Sequence, residues 1–255
     1  MNWKIIVSVL VLAAVGAGTW FVLQSNRSTS DTESVSAALP VPAPAPLARS
    51  EPASESSPAP EQPIVEAPTA LDDSDGRVRS AAADLAPRLV QWLTPDEQIR
   101  KWVALVDQVA EGKLPTKSRP LNYPLPAFTA RSESETQKLD SANYTRSTPL
   151  LSVLFAIEPV RLAQYYHAWR PLLDKAYAEI GGKGGFDKRL RAALHRVETV
   201  KPLDSAPVLV RPGVYYKYAN PTLEAASDVD KALWRLGPDN AGKLQAYLRS
   251  LEQEL

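Results

Sequence analysis

The stretch PVRLAQYYHAWRPLLDKAYAEI, residues 159–180, decides the fold class. Leu162, Tyr166, Trp169, Leu173, Ala176 and Ile180 recur at alternating steps of four and three. That spacing lines one face of an α-helix, so it predicts a long helix with a core-facing stripe. A coiled-coil seam is the alternative, over less than three heptads. Pro171 has no N–H for the carbonyl of His167, which predicts a kink around residues 167–171. Gly181 and Gly182 follow as a C-cap.

Helical pattern extends on both sides. Phe186, Leu190, Ala193, Leu194 and Val197 share one face over residues 186–200. Upstream, Thr94-Pro95-Asp96-Glu97 reads as a helix start, with Thr94 as cap, Pro95 at the first position and Glu97 closing a capping box. Ile99, Trp102, Val103, Val106, Val109 and Ala110 follow at helical spacing, and Gly112 ends the run. Val78, Ala81, Ala82 and Leu85 make a shorter helix, and Pro87 opens a further turn. Residues 227–236 and 238–254 are helical again, the last lined by Leu244, Tyr247, Leu248, Leu251 and Leu255. Between residues 113 and 146, Pro115, Pro120, Pro124 and Pro126 break any helix. That irregular segment has room for a short hairpin around Phe128 and Leu139. Helical pattern returns near Thr148-Pro149. The expectation is an all-α domain of about six to eight helices with one Pro-rich irregular segment.

The rest of the chain differs in kind. Residues 5–23 carry no charge, with Trp3 and Trp20 near the two ends. Nineteen positions at about 1.5 Å each approach the thickness of a bilayer core. An uncleaved transmembrane anchor is expected rather than a signal peptide, because Trp20-Phe21-Val22-Leu23 carry the apolar run past the small residues at 16–18. Lys4 and the free amine precede it, which places the N-terminus in the cytoplasm and the remainder outside. Residues 24–71 contain no aromatic residue and nine prolines. This is the composition of a disordered Pro/Ala/Ser/Glu-rich linker. The domain occupies residues 72–255.

Charge follows the same division. The whole chain is neutral, with 29 basic and 29 acidic residues. Residues 24–76 carry a net −7, residues 77–255 a net +6. Cysteine is absent, which excludes disulfide scaffolds, thiolate metal sites and cysteine nucleophiles. His167 and His195 are the only histidines, so a three-histidine metal site is impossible.

Candidate chemistry is thin. The run Gly181-Gly182-Lys183-Gly184-Gly185 lacks the Gly-Lys-Ser/Thr ending of a phosphate loop and follows a helix, so it reads as a turn. Asp72-Asp73-Ser74-Asp75-Gly76 is faintly like a calcium loop, but its first and twelfth positions fall on Leu71 and Ala82. It reads as a linker end and helix cap. His167 and Arg170 lie among Tyr165, Tyr166 and Trp169; a core or rim histidine is expected, a general base or haem ligand being the alternative. Lys188, Arg189, Arg191 and Arg196 form a basic face opposite the apolar stripe of their helix, solvated or facing an acidic partner. The most distinctive stretch holds Arg211, Tyr215, Tyr216, Lys217 and Tyr218. Tyr and Arg combine apolar area with hydrogen-bonding tips, which suits a binding surface; packing of the domain is the alternative.

Scattered residues carry a resemblance. They are Leu139-Asp140, Asn143-Tyr144, Pro171-Leu172-Leu173, Ala176-Tyr177, Ile180-Gly181 and Val210-Arg211-Pro212. The run from Tyr216 to Glu224 and the run Gly237-Pro238-Asp239-Asn240-Ala241 complete the set. In order and spacing the chain resembles an uncharacterised bacterial membrane-anchored family, the domain of unknown function numbered three thousand and fourteen, over residues 72–255. The resemblance implies this layout of span, linker and single domain, and no activity, cofactor or catalytic residue.

The functional expectation is a non-enzymatic interaction or scaffold module, anchored in the bacterial inner membrane, that meets an envelope protein. No cofactor, metal or nucleic acid is expected. A peptidoglycan- or glycan-binding module is the first alternative, an envelope-polymer hydrolase with an unrecognised acid/base pair the second.

Overall fold

The computed structural model describes residues 65–255. The expected span at 5–23 and linker residues 24–64 lie outside them. Among the described residues no helix is long and apolar enough to cross a membrane. The chain forms α1 (Asp75–Leu85), a 3-10 turn (Pro87–Trp92), α2 (Gln98–Ala110), β1 (Ala130–Glu133), β2 (Thr136–Leu139) and a second 3-10 turn (Ser141–Thr145). Then come α3 (Thr148–Phe155), α4 (Pro159–Glu179), α5 (Phe186–Glu198), β3 (Val208–Val210), β4 (Lys217–Tyr218), α6 (Pro221–Ala225), α7 (Asp228–Leu236) and α8 (Pro238–Glu254).

The fold is mostly helical, but the all-α expectation is corrected by a four-stranded antiparallel sheet in the order β1-β2-β3-β4. The hairpin around Phe128 and Leu139 does form, as β1 and β2. Strands β3 and β4 then pair onto it, with Leu209 opposite both Gln137 and Tyr218. They are three and two residues long, too short for an alternating pattern to declare them.

The core is helical. Val103, Leu105 and Val109 of α2 are buried against α4 and α5, which pack in turn on α8. The stripe of α4 faces this core through Leu162, Tyr166, Trp169 and Ala176. It is used inside the domain, which answers the coiled-coil alternative for that part. It ends at Ile180, which is 47% exposed where the chain turns at Gly181 with φ +85°. The helix continues through Pro171.

The start of α2 is corrected. Asp96 and Glu97 have φ of +56° and +52°, a geometry a capping box does not use. The Thr94 hydroxyl instead donates to the carbonyls of Arg119 and Pro120. The cap comes from α1: the Asp75 carboxylate accepts from Glu97 N and Gln98 N, both at 2.7 Å. A side chain 22 residues upstream thus satisfies two amides at the start of α2. The carbonyl end of α5 has a similar remote partner. Gln245 Nε2 on α8 donates to the carbonyls of Val197, Glu198 and Val200.

Residues 65–71, assigned to the linker from composition, lie against the domain. Leu71 is buried, Val65 and Ala67 pack on the core, and the Trp169 indole donates to the Glu66 carbonyl at 3.3 Å.

Candidate functional site

Beside the helical core sits a second, smaller cluster. Leu139, Leu209 and Tyr218 from the inner face of the sheet are buried there with Phe128, Tyr144, Tyr216, Leu223 and Trp234 around them. Most of the residues that carry the family resemblance converge on this corner. Asp140 caps the 3-10 turn by accepting from Ala142 N at 2.9 Å. The buried Asn143 accepts from Thr129 N and donates to the carbonyls of Thr129 and Asp140. Asn220 caps α6. Glu224 Oε2 accepts from Tyr218 N at 3.0 Å, and the buried Lys231 ammonium donates to the Glu224 carbonyl.

Gly237 joins α7 to α8 at φ +81°, and a Cβ there would lie 2.4 Å from Tyr144 Cγ. Only glycine supplies both the backbone angle and the space. Asn240 closes the joint by donating to the carbonyls of Tyr144, at 2.7 Å, and Leu236. These motif residues therefore act as caps, clamps and spacers.

Aromatic rings and guanidinium groups alternate across the corner. Arg146 lies over Phe128 at 5.9 Å, Phe128 meets Tyr216 at 5.5 Å, and Arg211 covers Tyr216 at 5.4 Å. Each contact has cation–π or tilted-ring geometry. Burial, and then the charge of Arg235, pull the Arg146 pKa down to about 10, so it stays charged at neutral pH. Burial pushes the Tyr218 phenol up.

The expected binding stretch divides in two. Tyr218 is buried at 4% exposure, so this member is corrected from surface to core. Tyr216 is half-buried under Arg211. Arg211, Val214, Tyr215 and Lys217 are exposed, Val214 by 76% and Tyr215 by 50%. On the outer face of the same sheet, Val208 and Val210 are also exposed. The turn from β3 to β4 and this face thus present apolar side chains with a basic rim. Sequence reasoning found the tyrosines but missed the valines. Their alternation with Leu209 was the available signal.

The other candidates lie elsewhere. His167 is exposed on α4, with Nε2 3.2 Å from the Glu254 carbonyl, and is a rim residue. Arg170 is exposed and sits 4.0 Å from Asp174. The basic face of α5 is paired. Arg189 bonds Asp107 and Glu111 on the α2 side at 2.7 Å each, Arg196 bonds Asp230 and Ser227, and Arg191 bonds Asp187 at 3.2 Å. Lys188 is exposed. The acids that engage Arg189 and Arg196 sit on or beside other helices, where helical spacing does not reveal them. Burial opposes ionisation of Asp187 and Asp230, but bonds from Tyr166 and Arg191, and from Ser227 and Arg196, hold them below the usual carboxylate range.

A cleft of about 280 Å³ opens beside the corner. Tyr144, Trp234, Pro202, Leu203 and Pro238 supply apolar walls; Lys201, Asp204, Ser205 and Gln245 supply polar groups. The Trp234 indole donates to the Lys201 carbonyl at 2.9 Å, which fixes the ring against the loop. Ligand sites run from about 300 to 1,000 Å³, so the cleft suits one ring-sized group. Nearby, burial and next the charge of Glu252 push Glu198 above the usual carboxylate range, and its Oε1 is buried without a partner. Sequence reasoning singled out neither the cleft nor Glu198, because the contributing segments are far apart in the chain.

A family profile described as "Protein of unknown function (DUF3014)" matches residues 98–252. No curated protein and no solved structure matches the chain.

Proposed function

We propose a function for a chain that belongs to the DUF3014 family: it is an interaction module of the bacterial envelope. A single N-terminal helix anchors it in the inner membrane with the N-terminus in the cytoplasm, and the helical domain stands in the periplasm. The charge-free run at 5–23 and the linker composition support the location. One observation carries the binding role: Val208 and Val210 are exposed on the outer face of the sheet, and Val214 and Tyr215 are exposed in the turn from β3 to β4, which also holds the exposed Arg211 and leads into the exposed Lys217. Contiguous apolar surface with a polar rim is the usual mark of a protein-binding face. The occupant is an envelope protein presenting an acidic, partly apolar surface.

A photo-crosslinking side chain at Tyr215 or Val214 in the full chain tests this. Discrete adducts from those positions, and none from the exposed Ser152 or Ala246, are expected. Equal labelling at all four positions would overturn the reading. A periplasm-dependent phosphatase fused after Leu255 tests the topology separately, and is expected to be active.

The cleft favours a second reading, a glycan-binding module. Its ring-sized volume, two aromatic walls and the Lys201–Asp204 loop suit one sugar ring. Co-sedimentation of the full chain in detergent with purified peptidoglycan sacculi checks it. Pelleting that Asp204→Ala and Lys201→Ala abolish supports a glycan site. Pelleting untouched by those changes, or none at low salt, removes it.

A further inference from the structure

The sheet closes one of its two edges and leaves the other open. At β4 the outward N–H of Tyr218 is taken by Glu224 Oε2, and α6 follows directly. At β1 the orientation follows from the ladder. Leu139 N donates to the Pro207 carbonyl at 3.1 Å, toward β3. Antiparallel pairs alternate, so Thr136 and Lys138 bond toward β1. Their partners there are Glu133 and Arg131. Ala130 and Ser132 therefore turn their N–H and C=O groups away from the sheet. Among the described residues no backbone hydrogen bond takes up these outward groups.

We propose that β1 is a self-pairing edge: two copies of this chain join antiparallel through Ala130–Glu133, with Ser132 opposite Ser132 of the partner subunit. The charges select the occupant. In that register Arg131 faces Glu133 of the partner subunit, and the reverse pair forms by symmetry. Both side chains lie on the outer face and are exposed, by 62% and 50%. The free backbone groups at 130 and 132 allow only registers an even number of residues apart. Sliding by one such step in one direction puts Arg131 opposite Arg131 of the partner subunit. In the other it puts Glu133 opposite Glu133 of the partner subunit. Like charges directly opposite destabilise a pair, and opposite ones stabilise it. The Ser132-centred register alone meets both conditions. Lys138, already 3.0 Å from Glu133, extends the alternation of charge across the joined sheets.

The strand is short, so the dimer is weak and concentration-dependent. Anchored copies sharing a membrane would meet at raised effective concentration. That last step rests on the proposed anchor; the pairing does not.

The chain contains no cysteine, so single cysteines report directly. Directly opposed, hydrogen-bonded residues sit about 5.5 Å apart at Cα, inside the ~4.4–6.8 Å range a disulfide spans. In the full chain under mild oxidation, Ser132→Cys should give a covalent dimer. The double variant Arg131→Cys/Glu133→Cys should as well, while either single change and the exposed Ser152→Cys should not. Sedimentation of the full chain in detergent gives the second arm, which does not depend on the anchor. Arg131→Glu or Glu133→Arg alone should lose concentration-dependent dimer, and the double charge swap should restore it. A Ser132→Cys dimer no more abundant than that of Ser152→Cys would overturn the proposal, as would a double swap as monomeric as the singles. Circular dichroism matching the unaltered chain confirms folding in each case.

Discussion

The helical core and the sheet corner hold together by different means. In the core, α2, α4, α5 and α8 bury Leu, Val and Ala side chains against one another; Val103, Leu105, Val109 and Leu194 have no exposed surface. Its stability scales with area removed from water. In the corner the buried apolar side chains are only Leu139, Leu209 and Tyr218. There the chain is held by individually placed groups: Asn143, Asn240, Glu224, Lys231 and the bare Cα of Gly237. A core of the first kind loses stability by degrees when a methylene is removed. A corner of the second kind fails at one atom.

Five measurements can break or sharpen that contrast. The largest effect belongs to the core. Leu194→Ala should cost about 2–5 kcal/mol in urea unfolding, from lost transfer energy and the cavity left. Gly237→Ala should cost about 2–3 kcal/mol, through positive φ and collision with the Tyr144 ring. A cost near zero would show that the joint gives way and the corner is not rigid. Asn143→Ala strands the Thr129 N–H and should cost about 1–3 kcal/mol. Hydrogen exchange should rise in β1 and β2 and stay unchanged in α2 and α5. A uniform rise would mean that the corner and core unfold as one unit. Asp75→Ala removes the remote cap of α2 and should cost about 0.5–2 kcal/mol.

The smallest effect is in the pH profile. Glu198 is pushed up by burial and by Glu252, so the fold favours its neutral form. Its stabilising contribution is complete below the ordinary carboxylate range and is lost as pH rises through the folded pKa. Glu198→Gln should therefore match the unaltered chain near pH 4. Toward pH 7 it should become more stable, by less than about 1 kcal/mol, which is under ~4 °C in Tm. A constant difference across that range would rule out the carboxyl as the cause.

The same contrast explains what could be read from sequence. Area leaves a periodic trace, so the bounds of α4 and α5 were legible in the stripes of Leu162–Ala176 and Phe186–Val197. Single-atom devices leave none. Thr94 and Glu97 looked like a capping box because the motif is local, whereas the acceptor that caps α2 is Asp75. Arg189 and Arg196 looked like a free basic face because their acids sit across α2 and α7. Sequence alone groups Tyr218 with Tyr215 as surface. Strand alternation separates them once Lys217 is known to point outward, but a two-residue strand does not announce itself. The cleft was not legible at all, since Tyr144, Lys201 and Trp234 meet only in the folded corner.

One detail at α4 bears on the mechanics of the domain. The Trp169 indole holds the Glu66 carbonyl, and the His167 ring meets the Glu254 carbonyl. Residues 66 and 254 are thus fastened to side chains two positions apart on one helix. A tensile load applied between them would reach α4 through those two hydrogen bonds. A circularly permuted domain joined from residue 254 to residue 66 would have to carry its bridge round α4, because side chains two positions apart leave a helix on opposite sides. Its new ends can open at the glycine-rich turn after α4.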